Sequence, residues 1–135
     1  TICIFRLSDV ILCKAEIENN LNGPAAALPY LNQIRARAGA PEYGKHNRFP
    51  APSTKEAMND AILKERGYEL VFEFQRRADL IRFGKYEEVV NAHLKKLGIA
   101  QPTNVTSSLR YFPYPLNDAQ LNPNLAAENP SRLPK

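Results

Sequence analysis

The chain has no tryptophan and, among 135 residues, only two histidines, two cysteines and one methionine. Without tryptophan, any stacking on a sugar ring or a base must come from the six tyrosines and six phenylalanines. Neither His46 nor His93 stands three residues after a glutamate, so the Glu-x-x-His pairs of a carboxylate-bridged metal bundle are missing. Cys3 and Cys13 fall on one predicted helix, ~15 Å apart along its axis, too far to bridge. Both are expected to be small buried apolar residues. No nucleophile elbow or Cys-His pairing is present for covalent catalysis. No apolar run approaches a membrane span. Thr1 to Phe5 has neither the basic start nor the apolar length of a signal peptide. Cys13 follows Val10-Ile11-Leu12, without the small residue expected before a lipidated cysteine.

The net charge is +4 and the pI about 9.2, values that can accompany nucleic-acid or anionic-surface binding. Here the excess is scattered. Its densest part, Arg76 to Lys85, is interleaved with Asp79 and follows Glu65, Glu69 and Glu73. No basic stripe alternates with exposed aromatics, so nucleic acid is not an expected partner.

Helical periodicity organises what is present. Residues 3 to 20 carry Ile4, Leu7, Ile11 and Ala15, with Val10 and Ile17 offset, on a predicted inward stripe. Asn19-Asn20-Leu21-Asn22-Gly23 ends that helix. Pro24 suits the first turn of a second one, with Ala27, Leu28, Leu31, Ile34 and Ala38 inward and Gly39 as its stop. Pro29 predicts a kink or a later start. A pair of helices across a short loop resembles a tetratricopeptide hairpin, which cannot cover its own apolar face alone. Residues 40 to 52 read as a loop. Ser53 and Glu56 form a capping box that opens a long helix running to Gly84. Gly67 inside it predicts a closely approaching neighbour, because glycine costs ~1 kcal/mol against alanine there. A short helix follows at 86 to 97, with Val89, Val90, Leu94 and Leu97 inward. The Pro- and Asn-rich remainder is expected to wrap as extended chain docked by Tyr111, Phe112 and Tyr114.

The run from Glu65 to Lys85 mixes both charges with large apolar residues. At ~100° per residue, Met58, Ile62, Glu65, Glu69, Phe72, Glu73 and Arg76 share one side, with Leu63, Leu70 and Phe74 opposite. A helix apolar on two sides is covered on both, so its carboxylates need partners. Arg35, Arg37, Arg76 and Arg82 are the expected ones. Replacing Glu69 by alanine is then expected to lower stability by a few kcal/mol by stranding a buried arginine. Glycoside hydrolysis would need a flanking carboxylate pair, and nothing in the sequence singles one out.

Four segments resemble, in order, the SusD/RagB family of outer-membrane nutrient-binding lipoproteins. They are Phe5-Arg6-Leu-Ser-Asp9 through Ala15-Glu16; Leu31-Asn32-Gln-Ile-Arg35-Ala-Arg37-Ala38-Gly39; the run Glu65-Arg66 to Gly84; and Tyr111-Phe112-Pro113-Tyr114-Pro115 with Asn122-Pro123-Asn124-Leu125 and Asn129-Pro130. Departures are Phe74, where many members carry glycine, Arg77, where many carry an aromatic, and the ending Ser131-Arg132. The resemblance implies a mostly α fold, SusD-like: a tetratricopeptide-like hairpin (1–39), a loop (40–52), helices with the charged signature (53–98) and an irregular tail (99–135). It also implies a C-terminal fragment of a longer protein, with the signal peptide, lipid anchor and neighbouring repeats on the portion before Thr1.

The implied role is non-catalytic: binding a glycan such as starch for an outer-membrane polysaccharide uptake system. The implied partners are an oligosaccharide and a SusC-like TonB-dependent transporter, at the cell outer membrane and with no cofactor. No ligand residue is carried over from the family. The best local candidate is loop 40–52, through Tyr43, His46, Asn47 and Arg48, against the simpler reading of an ordinary surface loop. The alternative function is a helical-repeat interaction module that meets no sugar. It is disfavoured because no further hairpin of similar period follows Gly39. A hydrolase accessory domain is disfavoured by the lack of a convergent acid pair.

Overall fold

The computed structural model describes residues 6–99, 106 and 111–128, the last three without their side chains. Ile4, Cys3 and the Asn129-Pro130 ending lie outside these. The chain forms two compact units, Thr1–Phe83 and Gly84–Lys135.

In the first unit, α1 (Leu7–Asn22) and α2 (Pro24–Arg37) make a helical hairpin. Gly23, at φ 90°, takes the backbone conformation that only glycine adopts without strain, and its N–H closes on Asn19 O at 3.2 Å. Helix α2 runs unbroken through Pro29, so the expected kink is not a helix boundary. Helix α3 (Lys55–Glu69) packs on both, and Leu12, Ala15, Ala27, Leu31, Ile34, Met58 and Ile62 form the core between them.

Helix α1 buries a different face from the one its apolar stripe suggests. Ser8, Asp9, Leu12, Ala15 and Asn19 are inside, whereas Leu7, Val10 and Ile17 are 72%, 60% and 56% exposed. The polar residues are tolerated inside because each makes hydrogen bonds or an ion pair there, with the Asn19 Oδ1 left as the unpaired exception among the described residues. Asp9 pairs with Arg66, Ser8 accepts from Arg6, and Asn19 donates to Lys55 O and Asn59 Oδ1. Cys13 is exposed, against expectation, with its Sγ beside Arg66 and Asp9. Partial burial, only partly offset by Arg66, pushes its thiol pKa up, away from the reactive thiolate.

The long helix expected from Ser53 to Gly84 is divided. Its cap is Thr54, whose Oγ1 accepts from Ala57 N at 3.1 Å, one residue later than the expected Ser53. It stops at Glu69, and α4 (Arg76–Arg82) begins after a turn in which Phe72 and Phe74 have φ of 63° and 60°. Left-handed backbone cannot continue a right-handed helix. The Phe74 departure from the family's glycine therefore sits at a position whose conformation suits glycine. Phe72 is 92% exposed, not on a buried side.

In the second unit, α5 (Tyr86–Lys96) has no buried side chain, and its Leu97 C-cap is 59% exposed. The tail expected to be extended contains α6 (Leu116–Leu121) and α7 (Pro123–Glu128), the latter opened by a proline. Tyr111 and Phe112 are 58% and 73% exposed.

Candidate ligand-binding site

The Arg–carboxylate signature builds a frame, and the frame holds a loop. Arg35 and Glu65, with side chains 5% exposed each, meet at 2.7 Å. The Arg35 Nε also donates to Pro41 O at 2.6 Å, and its guanidinium lies 4.6 Å from the ring centres of both Tyr43 and Phe49. One side chain thus ties α2 and α3 to loop 40–52 through ionic, hydrogen-bonding and cation–π contacts. Asn32 adds a reciprocal pair: its Oδ1 accepts from Tyr43 N at 2.8 Å and its Nδ2 donates to Tyr43 O at 3.0 Å. The spacing Asn32, Arg35 puts both on the α2 side that faces the loop.

Two further clusters fasten the helices. Glu69 accepts from Arg6 at 2.6 Å and from Arg37 through both carboxylate oxygens at 2.6 and 2.7 Å, while Glu73 meets Arg6 at 2.7 Å. Arg6 also donates to Glu69 O. Burial pushes the Glu69 carboxyl up, but hydrogen bonds from Ser8, Arg6 and Arg37 outweigh it and hold the group below its ordinary value. Arg66 bridges Asp9 and Asp79 at 2.8 Å each, and Arg82 joins Asp79 at 3.1 Å and Glu16. Burial opposes the charge on Arg66, yet Asp79 and Asp9 drive its pKa upward and keep it protonated. Of the expected arginines, Arg35, Arg37 and Arg82 pair with carboxylates. Arg76 instead donates to Leu63 O at 2.7 Å and lies across Gly67, where an added Cβ would come 2.8 Å from its Nη1. That is the close neighbour the glycine predicted, although it is a side chain and not a second helix. Arg6 and Arg66 were visible in the motifs but not assigned as partners.

Within loop 40–52, Gly44 N donates to Phe49 O at 2.8 Å and Phe49 N to His46 O at 2.9 Å, which closes a tight turn. The Tyr43 ring is half-buried, edge-on to Phe49 with centres 5.9 Å apart. Arg35 lies over this ring and over that of Phe49 alike. His46 is exposed and accepts from Arg48 N at 3.1 Å, and Asn47 is exposed at the turn.

Between this loop and the outer side of α3 lies a groove of about 470 Å³. Tyr43, Phe49, Pro50 and Pro52 make its apolar wall, with Arg48, Asp60 and Lys64 as its charged groups. Asp60 and Lys64 had not been singled out in the sequence, since they read as ordinary surface residues of a helix. Asp60 is the groove's single carboxylate, short of the pair that glycoside hydrolysis uses. Among the described residues no cluster of three His, Cys, Asp or Glu is placed to hold a metal, and no helix is long and apolar enough to cross a membrane.

The profile of the SusD family matches residues 1–131. SusD-like protein P25 of Formosa agariphila is 39% identical over 120 residues, which are 89% of this chain and 22% of that protein. The starch-binding protein SusD of Bacteroides thetaiotaomicron is 28% identical over 125 residues, 91% of this chain and 20% of that one. A crystal structure of a SusD superfamily protein from Bacteroides vulgatus superposes with a TM-score of 0.67 at 28% identity, covering 89% of this chain and 25% of its own. The chain thus spans about a fifth of the length of the curated relatives it matches. With the helical hairpin, the Arg–carboxylate frame and the loop it holds all in place, these 135 residues belong to the SusD family.

Proposed function

We propose that the chain is the C-terminal part of a non-catalytic, glycan-binding component of an outer-membrane polysaccharide uptake system. The whole protein is held at the cell surface by a lipid on a portion outside this sequence. It passes oligosaccharides to a SusC-like TonB-dependent transporter. Its segments divide as 1–39, 40–52, 53–98 and 99–135, of which the first and third are scaffold and the second shapes the binding groove. The observation that carries this reading is the family match across residues 1–131, which includes a relative named for starch binding. The groove beside Phe49 and Arg48 supports a binding role.

The interaction-module reading keeps one specific support, the exposed apolar side of α1 at Leu7, Val10, Ile17 and Leu21. Purification of the intact protein from membranes in mild detergent separates the two. A lipidated cysteine, a co-purifying barrel and glycan-array binding that Arg48→Ala weakens are expected. An unmodified protein with other partners and no glycan binding would sink the proposal.

A further inference from the structure

The joint between α1 and α2 holds the chain's single Asn-Gly step, Asn22-Gly23. Asparagine before glycine is the pair most open to intramolecular deamidation, because no side chain on the second residue hinders the approach of its backbone nitrogen to the amide carbon. Asn22 is exposed, and a Cβ added at Gly23 would meet nothing within 4 Å beyond its chain neighbours. Nothing crowds the reacting pair.

The pair is nevertheless tied. The Gly23 N–H donates to Asn19 O at 3.2 Å, and the Asn22 Nδ2 donates to Glu18 Oε2 at 2.6 Å. Both bonds run back onto α1, and each engages one of the two groups that must react. Attack requires both to open.

We infer that Asn22 is a site of spontaneous deamidation, locked while the α1–α2 joint is folded and released when that joint opens locally. The Gly23 nitrogen loses its proton and bonds to Asn22 Cγ, the bond from Cγ to the side-chain nitrogen breaks, and ammonia leaves. Water then opens the succinimide ring at either carbonyl, giving aspartate or isoaspartate with no change of oxidation state. Aspartate puts a second carboxylate four residues after Glu18, a repulsive spacing on a helix. It also puts negative charge in the last turn of α1, where the helix dipole disfavours it. Isoaspartate lengthens the backbone between the two helices by a methylene. Either product loosens the joint that admitted the reaction.

The test is peptide mapping of the intact protein after incubation at mildly alkaline pH, in native buffer and in urea. The mass gain of an amide-to-acid exchange is expected at Asn22 in urea, and roughly 10-fold or more slowly in native buffer, the protection given by a joint that opens only locally. Glu18→Ala should raise the native rate and leave the urea rate unchanged, and Asn22→Asp should melt below wild type. Equal native and urea rates, or a native rate indifferent to Glu18→Ala, would overturn the lock. No mass gain at Asn22 in urea would overturn the site itself, and an Asn22→Asp variant melting at or above wild type would overturn the loosening.

Discussion

Two arginine–carboxylate sites about one turn of α3 apart do different work. At Glu65 both partners are sealed, each side chain 5% exposed, and the arginine continues into loop 40–52. At Glu69 the carboxylate is 6% exposed, but its partners Arg6 and Arg37 are 30% and 61% exposed. The chemistry is the same. The surroundings differ, and they decide the energetics. A charge left alone in a sealed site has no water to fall back on, whereas a half-exposed guanidinium rehydrates when its partner is removed.

The largest expected effect follows from the sealed pair. Glu65→Ala should destabilise the protein by about 3–5 kcal/mol, because it strands Arg35 in the interior. Denaturant unfolding measures this. The double variant Arg35→Met, Glu65→Leu should recover much of the loss, since it removes both charges together.

A smaller effect is expected at Glu69. Glu69→Ala should lower stability by about 1–2 kcal/mol, through the lost charged hydrogen bonds alone. This corrects the larger loss that the sequence suggests, which assumed a buried arginine: neither Arg6 nor Arg37 is sealed.

The smallest effect is the pH dependence of that same site. The Glu69 carboxyl is held below its ordinary value of 4.5 in the folded chain. Its contribution is therefore fully present above that value and is lost as pH falls through the lower, folded one. Melting curves should show wild type losing stability on acidification below pH 4.5, and Glu69→Gln losing less over the same range. A Glu69→Gln slope as steep as wild type would place the titrating group elsewhere.

The contrast between these sites also marks what could be read from the residues. Helices α1, α2 and α5 and the start of α3, the Gly23 and Gly39 stops, and the pairing of Arg35, Arg37 and Arg82 with carboxylates follow from periodicity and charge balance. The buried face of α1 does not, because Ser8, Asp9 and Asn19 enter the interior on the strength of partners more than 50 residues away in some cases, such as Arg66 for Asp9. Hydrophobic pattern carries no record of such a partner. The break between α3 and α4 is hidden for a similar reason. Phe72 and Phe74 have no intrinsic claim on left-handed backbone, and the bonds of Glu73, between them, to Arg6 and of Arg76, just after the turn, to Leu63 O are tertiary. In the candidate groove, loop 40–52 was legible from the sequence. Tyr43 and Arg48, both named from the sequence, line that groove, and Arg35 lies 4.6 Å from the Tyr43 ring centre. Asp60 and Lys64 became visible only when the loop was placed beside α3.

The most direct test of this difference is a pair of double-mutant cycles, Arg35 with Glu65 and Arg37 with Glu69, read by equilibrium unfolding of the intact protein. The account predicts a coupling above about 2 kcal/mol for the sealed pair and below about 1 kcal/mol for the exposed one. Equal couplings, or the reverse order, would contradict the claim that burial sets the role of each pair.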